Sequence, residues 1–320
     1  MAVGPEITLQ NGLKMPTVGT GLWKVGKDTA ADHVYNAVKL GYRLFDGATD
    51  YGNKCEVGMG LWRAMADGLV KREELFITGK LWNTFHAREH VKENFQCNID
   101  DLGIDYIDLY LVHFPVALKY VPQSECYPPE WRDGGDGPVV PAKVPFHETW
   151  EAMEALYNDG LAKNISISNM SDAMLYDLLS YAKVCPAVLQ VELHPYLHHK
   201  QLIELAQTEG LAVTAYSLMG NMGYHEINMV LSGPCFMPLL KHDTIADIAK
   251  RHKHSPAQVL LRWAIECGCA VIPKGSNNKE MSKNLNVFDF ALTEQDMSEI
   301  TALNQNLIFN DLGKNFGCLI

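Results

Sequence analysis

Short apolar runs alternate with amphipathic segments along most of the chain. The runs have the length of buried strands, and the segments between them carry apolar residues at helical spacing. The predicted strands cover residues 18–23, 43–45, 75–80, 106–113, 163–168, 187–191, 211–216 and 270–272. Each is followed by a predicted helix, and no shift in composition marks a boundary. We therefore expect residues 1–320 to form one domain.

Three regions depart from this alternation. The pair Asn11-Gly12 lies between two short alternating runs and predicts an N-terminal β-hairpin. Two long segments, 114–145 and 218–240, lack periodicity and are predicted to be functional loops. The last residues, 308–320, are predicted to be an irregular tail.

Eight strands that alternate with helices predict an α/β fold, a closed (β/α)₈ TIM barrel with the N-terminal hairpin and long loops at its C-terminal face. The competing fold is a doubly wound sheet. That fold is expected to carry a Gly-x-Gly-x-x-Gly turn directly after a strand, and the sequence has none. In a barrel, the active site lies at the C-terminal ends of the strands.

Composition narrows the class of function. The formal net charge is -11 and the pI is near 5.5, which argues against nucleic acid or an anionic membrane as a partner. No apolar run reaches the roughly 18 residues of a membrane helix, and the N-terminus does not resemble a signal peptide. The 8 cysteines are scattered, so we expect reduced thiols, no metal site and a cytoplasmic protein.

Candidate catalytic residues fall at the ends of three successive predicted strands. Asp46 and Tyr51 follow the second strand, Lys80 ends the third, and His113 ends the fourth. Neighbouring strands in a barrel lie about 4.8 Å apart, so these ends can meet at one point. A charge at the end of an apolar strand is costly unless it is paired.

These four side chains suit proton transfer. A buried Lys80 paired with Asp46 would lower the pKa of Tyr51, so that Tyr51 acts as an acid or base near neutrality. His113 would orient a substrate carbonyl. The structural alternative is an ion pair, a surface tyrosine and a core histidine. For any one of these residues the structural role is the better interpretation. For four such residues at consecutive strand ends, the catalytic role is the better one.

The motifs around these residues resemble the aldo-keto reductase superfamily. They are Phe45-Asp-Gly-Ala-Thr-Asp-Tyr-Gly-Asn53, Thr78-Gly-Lys-Leu-Trp-Asn83, Leu111-Val-His-Phe-Pro115, Ile167-Ser-Asn-Met170, Leu189-Gln-Val-Glu-Leu-His-Pro-Tyr196, Ala215-Tyr-Ser217 and Val271-Ile-Pro-Lys274. Within the superfamily the chain is most similar to the yeast-type xylose reductases. The marks of that group are residues 113–122, Cys126-Tyr-Pro-Pro129 and Leu307-Ile-Phe-Asn-Asp311.

The resemblance implies hydride transfer from NADPH, NADH or both to the aldehyde of an open-chain aldose, with Tyr51 as the proton donor. D-xylose, reduced to xylitol, is the best candidate substrate. One alternative is a broad-specificity carbonyl or steroid reductase that detoxifies aldehydes. Another is a non-catalytic cofactor-binding subunit on the same barrel, against which the intact set of four catalytic residues argues.

The resemblance also implies a set of cofactor-binding residues. The nicotinamide carboxamide would be held by Ser168, Asn169 and Gln190, and the ring would stack on Tyr216. The other cofactor positions are Ser217, Leu218, Glu226, Lys274, Gly275, Ser276, Asn277, Glu280 and Asn284. Amide side chains match the donor and acceptor of a carboxamide.

The segment that would bind the adenosine departs from the family pattern. Family members that prefer NADPH usually carry Lys-Ser-x-x-x-Glu-Arg, whereas this chain has Gly275 at the serine and Glu280 at the arginine. A carboxylate there would repel a 2′-phosphate, and Glu226 aligns with a glutamate that accepts from ribose hydroxyls. We therefore expect use of NADH as well as NADPH. Alternatively, Lys279 replaces the arginine and restores NADPH.

The substrate would meet an aromatic mouth with few polar groups. Its predicted lining is Trp23, Trp82, His113 and Phe114 with Trp131 beside them, and Asp50 and Asn310 as polar groups. The resemblance assigns Asp50 and Asn310 to the hydroxyls next to the aldehyde of a sugar. The expected partner is therefore a small molecule, and the family leaves a monomer or a homodimer open.

Overall fold

The computed structural model describes residues 4–132, 137–220 and 237–317. The chain opens with an antiparallel hairpin, β1 (Glu6–Thr8) and β2 (Lys14–Pro16). Its turn places Gly12 at φ +85°, a conformation that glycine adopts without a steric penalty. The predicted hairpin at Asn11-Gly12 is confirmed.

Eight parallel strands follow and pair in chain order. They are β3 (Thr20–Gly21), β4 (Leu44–Asp46), β5 (Phe76–Leu81), β6 (Leu109–Val112), β7 (Ile165–Ser168), β8 (Val188–Glu192), β9 (Ala212–Tyr216) and β10 (Cys269–Val271). Each lies within or one residue beyond a predicted strand. The predicted eight-stranded parallel sheet is confirmed.

The first and last strands of this sheet meet and close the barrel. Val18 forms a parallel bridge with Val271. The backbone amide of Gly19 donates to Val271 O at 2.8 Å, and the amide of Val271 donates to Thr17 O at 2.8 Å. A doubly wound sheet would leave both edges open, so closure confirms the barrel.

Helices cover the outside of the barrel, and a short last helix lies in the C-terminal tail. They are α1 (Lys27–Leu40), α2 (Lys54–Ala66), α3 (Arg88–Leu102), α4 (Phe146–Asn158), α5 (Asp172–Tyr181), α6 (Lys200–Thr208), α7 (Asp243–His252), α8 (Pro256–Glu266), α9 (Asn278–Leu285), α10 (Glu294–Thr301) and α11 (Leu312–Phe316). Among the helices that the structure describes, none is long and apolar enough to cross a membrane.

Two hydrophobic clusters show which way the strand residues face. Leu44 and Phe76 belong to a cluster inside the barrel, which also contains Leu9 and Met15 of the hairpin. Phe45 belongs to the larger cluster between the strands and the helices. Since side chains alternate along a strand, Asp46 faces the barrel interior, like Leu44. The hairpin packs against this inner cluster, so the strand C-termini form the open mouth.

The C-terminal tail was predicted to be irregular, but part of it is helical. Residues 312–316 form α11, and the Asp311 side chain accepts a hydrogen bond from Lys314 N at 3.0 Å. A helix of one turn is too short to give a periodic apolar pattern, but the N-cap aspartate was a readable signal. Of the two predicted long loops, the second lies mostly outside the described residues.

Candidate active site

The centre of the mouth is a buried ion pair. Lys80 occupies β5 four residues after the inward-facing Phe76, so its side chain also enters the barrel. Its Nζ lies 2.5 Å from Asp46 Oδ1 and also donates to Gly47 O at 3.1 Å. Both side chains are almost fully buried. The predicted pairing of the lysine with the aspartate is therefore present.

The same ammonium group reaches the tyrosine. Lys80 Nζ lies 3.2 Å from Tyr51 OH and 5.0 Å from the centre of its ring. Tyr51 is half-buried and ends a short 3₁₀ turn, Thr49–Tyr51. Gly52 follows at φ +68°, which ends the turn. A cation at hydrogen-bond distance from a phenol favours its ionised form.

Asp46 is held on both oxygens. Its Oδ1 binds Lys80, and its Oδ2 accepts a hydrogen bond of 2.8 Å from Gln190 Nε2 on the far side of the barrel. This contact uses one of the two amide hydrogens of Gln190 and leaves its carbonyl oxygen as an acceptor. Sequence reasoning placed Gln190 near the cofactor but did not anticipate its contact with Asp46.

His113 lies beside the turn. Its Nδ1 is 3.2 Å from Asp50 Oδ1, but the orientation does not make a hydrogen bond. Its ring meets the Tyr51 ring edge to face, with centroids 6.1 Å apart. The structure thus brings all four predicted catalytic side chains to one point. Asp50, predicted to contact substrate, lies against the histidine.

Aromatic rings form a wall next to His113. Phe114 stacks on His113 at 4.5 Å between centroids, and Trp131 contacts Phe114 at 4.9 Å and Trp82 at 5.2 Å. Trp82 is only 1% exposed, so it lies behind the wall rather than at the rim. Trp23, which is half-buried, has Lys24 Nζ 4.7 Å from the centre of its ring.

Polar side chains on β7, β9 and the tail form a chain of hydrogen bonds. Asn169 donates from Nδ2 to His113 O at 2.8 Å and accepts from Tyr216 OH at 2.5 Å. Asn310 Nδ2 lies 3.2 Å from the same hydroxyl, and Ser168 Oγ donates to Gln190 O at 2.9 Å. These predicted cofactor and substrate residues are therefore contiguous.

Two of the predicted cofactor-binding residues have a left-handed backbone conformation. Asn169 has φ +61° and Ser217 has φ +56°. Asparagine tolerates this region, but serine adopts it rarely, and such strain concentrates at functional sites. Leu218 beside them is buried.

The residues present fit a nicotinamide carboxamide. Gln190 retains a carbonyl oxygen that can accept from an amide, and the half-buried Tyr216 ring is held at its hydroxyl by Asn169 and Asn310. An aromatic face held in this way can stack on a planar ring.

Glu192 was missed by the sequence reasoning. Its Oε1 accepts from Phe309 N at 2.9 Å and lies 2.8 Å from His194 Nε2, and its Oε2 accepts from Asn310 N at 2.9 Å. The carboxylate is buried at the end of β8 and anchors the tail over the mouth. The signal was available, because Glu192 ends an apolar strand as Asp46 does.

At the adenosine end the predicted residues lie around the start of α9. Glu280 Oε2 accepts from Ser276 N at 2.8 Å, and its Oε1 accepts from Asn277 Nδ2 at 3.0 Å. Asn277 in turn caps the helix by accepting from Glu280 N at 3.0 Å. The carboxylate that replaces the family arginine thus has local partners. Lys274 is exposed, and Asn284 is buried. Glu226 lies outside the described residues.

Gly275 fits a close approach between the loop and the helix. A Cβ at this position would lie 2.5 Å from Met281 Cγ and 3.0 Å from Met281 N. A side chain at this position would therefore require Met281 to move, so the glycine belongs to this local packing.

The charge of Lys274 reaches the barrel wall. Burial and then the positive charge of Lys274 hold the pKa of His33 below its ordinary value. His33 Nε2 lies 3.5 Å from Thr20 Oγ1 on β3. Burial and the nearby Lys274 together disfavour the charged form of His33.

Comparison with known proteins agrees with this geometry. The model of the aldo/keto reductase family matches residues 9–305. A probable NAD(P)H-dependent D-xylose reductase of Aspergillus terreus is 50% identical over 307 residues, which are 96% of this chain and 96% of the relative. An NAD(P)H-dependent D-xylose reductase of Pyricularia oryzae is 50% identical over 313 residues, covering 98% and 96% of the two chains.

A solved structure matches as well. The crystal structure of a Bombyx mori aldo-keto reductase in complex with NADP superposes with a TM-score of 0.85 at 33% identity, over 98% of this chain and 97% of that one. A barrel with a buried Asp46–Lys80 pair beside Tyr51 and His113 is the arrangement that the motifs predicted. The chain belongs to the aldo/keto reductase family.

Proposed function

We propose that the protein reduces the aldehyde of an open-chain aldose with NADPH or NADH, and that D-xylose, reduced to xylitol, is its substrate. The observation that carries this proposal is the position of Lys80 Nζ, 2.5 Å from Asp46 and 3.2 Å from Tyr51 OH, in the barrel mouth. The names of the two fungal relatives, NAD(P)H-dependent D-xylose reductases at 50% identity, support it.

Tyr51 is the proposed proton donor. Reduction of a carbonyl leaves negative charge on its oxygen, and a positioned acid lowers the barrier by protonating it. The phenolate that remains would lie 3.2 Å from the Lys80 ammonium group, which stabilises it. Asp46 pairs with that ammonium group inside the barrel, where a buried cation without a partner is costly.

His113 and Asp50 orient the substrate in this proposal. The rings of His113 and Tyr51 meet edge to face with centroids 6.1 Å apart, so the imidazole is close enough to donate to the same carbonyl oxygen. Asp50 lies beside the imidazole, with Oδ1 3.2 Å from His113 Nδ1, and is a candidate partner of a sugar hydroxyl. Asn310, anchored by Glu192, is the candidate partner of a sugar hydroxyl.

The cofactor, when bound, supplies the hydride. Ser168, Asn169 and Gln190 are the proposed partners of its carboxamide, and Tyr216 is the proposed stacking surface. Lys274 is the candidate contact of a 2′-phosphate, and Glu226, outside the described residues, is the candidate contact of free ribose hydroxyls. We propose use of both cofactors, since Lys274 attracts the phosphate and Glu280 opposes it.

Steady-state kinetics test the reaction and the cofactor together. We expect the protein to reduce D-xylose with either cofactor, as monitored by the loss of absorbance of the reduced nicotinamide. We also expect a higher kcat/KM for D-xylose than for a steroid ketone. Absence of D-xylose turnover with both cofactors contradicts the proposal. A preference for NADPH above about a hundredfold, or about 2.7 kcal/mol, contradicts only the use of NADH.

A second candidate is a broad-specificity carbonyl reductase. The wall formed by Phe114 and Trp131 favours it, because an apolar aromatic surface binds small aromatic aldehydes without sugar-specific contacts. Comparison of kcat/KM for benzaldehyde and D-xylose in wild type and in an Asn310→Ala variant separates the two. If the protein is a sugar reductase, Asn310→Ala lowers kcat/KM for D-xylose and not for benzaldehyde. If it is a broad-specificity reductase, Asn310→Ala leaves kcat/KM for both substrates unchanged.

The organisation of the protein completes the proposal. We propose one domain over residues 1–320, supported by a sheet whose strands run from β3 to β10 without interruption. A homodimer and a cytoplasmic location stay predictions. Light scattering at micromolar protein concentration distinguishes a monomer from a homodimer.

A further inference from the structure

A lysine that the reaction does not use is buried in the barrel wall. Lys54, the first residue of α2, is only 2% exposed. Its Nζ donates to Thr49 Oγ1 at 3.0 Å, and no ion pair holds it within the described residues. Lysine is almost never fully buried unless it is paired. A position with this desolvation cost needs a physical explanation.

The hydroxyl that binds Lys54 has its hydrogen-bonding capacity filled. Thr49 Oγ1 accepts from Lys54 Nζ at 3.0 Å and from Asn98 Nδ2 at 3.2 Å, and it donates to Lys80 O at 3.1 Å. A hydroxyl has one donor and two acceptor sites. This single atom therefore joins α2, α3, β5 and the turn that follows β4.

The junction lies directly behind the proposed proton donor. Thr49 begins the 3₁₀ turn that ends at Tyr51, and Lys80 is the residue whose Nζ contacts Tyr51 OH at 3.2 Å. The hydrogen bond from the Thr49 hydroxyl thus ties the turn that carries Tyr51 to the backbone of Lys80. A change at Thr49 Oγ1 would alter the distance between Tyr51 and Lys80.

A small cavity adjoins the lysine. It has a volume of about 10 Å³, and its lining includes Gly47, Lys54, Thr78 and Asn98. Asn98 Oδ1 is buried and has no hydrogen-bond partner. A cavity of this size holds at most one water molecule. The ammonium group of Lys54 has hydrogens to spare after the bond to Thr49, so donor, acceptor and space occur together.

We propose that Lys54 is a positioning residue, which holds Thr49 and thereby sets the place of Tyr51 against Lys80, with one buried water bridging Lys54 to Asn98. The inference rests on the proposed function only in taking Tyr51 as the proton donor. Lys54 itself touches neither substrate nor cofactor.

The electrostatic surroundings supply a readout for this role. Burial lowers the pKa of Lys54 to about 7, against the opposing effects of Asp101, Cys97, Asp50 and Cys55. Asp50 faces it from the turn, Cys97 and Asp101 from α3, and Cys55 from its own helix. The ammonium group loses its charge near neutral pH, and a neutral amine is a weaker donor to Thr49.

The first experiment replaces the lysine by its uncharged isostere. We expect Lys54→Met to lower kcat about tenfold while the KM for the cofactor stays unchanged, since small misplacements of a catalytic group cost one to two decades. The pH profile of kcat should lose an inflection near pH 7 that the wild type shows. Lys92→Met, at an exposed site on α3, is the matched control and should keep the wild-type profile.

A second readout requires no turnover. Phenolate absorbance, measured as the difference between each protein and its Tyr51→Phe counterpart, reports the titration of Tyr51 alone. We expect a higher midpoint in Lys54→Met than in wild type, because Tyr51 moves away from the Lys80 cation. Thr49→Val keeps the shape of the side chain, removes the hydroxyl and should reproduce the shift.

The outcomes separate the inference from the proposed function. If the wild type reduces no aldehyde but the midpoint shifts, the proposed function fails and the positioning role stands. If the wild type is active and both variants keep its kcat and its Tyr51 midpoint, the positioning role is overturned. Should Lys54→Met fail to fold, Thr49→Val decides by the same two measurements.

Discussion

The barrel mouth and the proposed adenosine-binding end differ in how their charged side chains are buried and paired. At the mouth, Asp46 and Lys80 are buried and bind each other at 2.5 Å, and Gln190 completes the carboxylate. At the adenosine end, Lys274 and Glu280 are exposed, and Glu280 binds its own loop. The first arrangement is a closed network across three strands, and the second is a local cap on one helix.

This difference predicts which end tolerates change. Removing one partner of a buried pair leaves an uncompensated charge, at a cost of about 3–5 kcal/mol. An exposed charge is worth roughly 0–1 kcal/mol, because water replaces its partner. The chemistry should therefore depend strongly on each residue of the mouth. Cofactor preference should shift gradually with substitutions around α9.

The largest expected effect is at Tyr51. We expect Tyr51→Phe to lower kcat for D-xylose by about a thousandfold, because the variant keeps the ring but loses the proton. Cofactor affinity, measured by quenching of tryptophan fluorescence, should stay within about twofold of wild type, since the hydroxyl faces Lys80. Wild-type kcat in this variant would show that another group donates the proton.

Tyr35→Phe provides the matched control for that prediction. Tyr35 also donates its hydroxyl to a carboxylate, Asp67 Oδ2 at 2.7 Å, but it does so on the outer face of α1. The control variant should retain wild-type kcat. Loss of activity in both variants would point to a general effect on folding.

The mouth could be predicted from sequence because local rules place it. Asp46, Lys80 and His113 each lie at the end of an apolar strand, and parallel strand ends meet at one edge. The contacts of Gln190 with Asp46 and of Glu192 with the tail could not be predicted in this way. They join residues 144 and 118 positions apart, and only the closed barrel brings them together.

At the adenosine end the sequence analysis assigned Glu280 to the cofactor alone, and the structure adds a second role in the helix start. Alignment with the family pattern marked Glu280 as the replacement for an arginine that binds phosphate. The spacing from Asn277 to Glu280 is also a helix N-cap followed by an acid at the third position, which stabilises a helix start by itself. Residue identity alone does not separate these roles, since both place the carboxylate at the first turn of α9.

The next effect tests the cation of this end. We expect Lys274→Met to raise the KM for NADPH about tenfold and the KM for NADH less than twofold, because only NADPH carries the phosphate that the ammonium group would attract. Steady-state kinetics with both cofactors measure this difference. Equal losses would mean that Lys274 contacts a part that the two cofactors share.

A further prediction compares a lysine buried in the barrel wall with an exposed one. Lys54 has a pKa of about 7 in the folded protein and 10.5 as a free side chain, so between these values the unfolded chain binds more protons. Stability contributed at this site therefore rises with pH across that window. We expect Lys54→Met to reduce the change in Tm between about pH 7 and about pH 9, relative to wild type.

The exposed lysine gives the control for this pH dependence. Lys92 is 68% exposed and pairs with Asp159 at 3.7 Å, so Lys92→Met should leave the change in Tm as in wild type. Thermal unfolding of the three proteins at both pH values measures it. A Lys54→Met variant whose Tm follows the wild-type pH dependence would mean that Lys54 keeps an ordinary pKa when folded.

The smallest effect separates charge from capping at Glu280. Glu280→Gln keeps an oxygen that can accept from Ser276 N but removes the negative charge, and we expect the preference for NADPH over NADH to rise severalfold. Glu280→Arg should raise it further and lower the stability of α9 by about 1 kcal/mol, because arginine cannot accept the hydrogen bonds from Ser276 N and Asn277 Nδ2. Kinetics with both cofactors and thermal unfolding measure the two effects separately.

If Glu280→Gln leaves the preference unchanged while Glu280→Arg raises it, the wild-type carboxylate serves the helix start alone, and the gain comes from the new cation. The exposed end would then resemble the mouth in one respect, because its charge, too, would be committed to a structural partner.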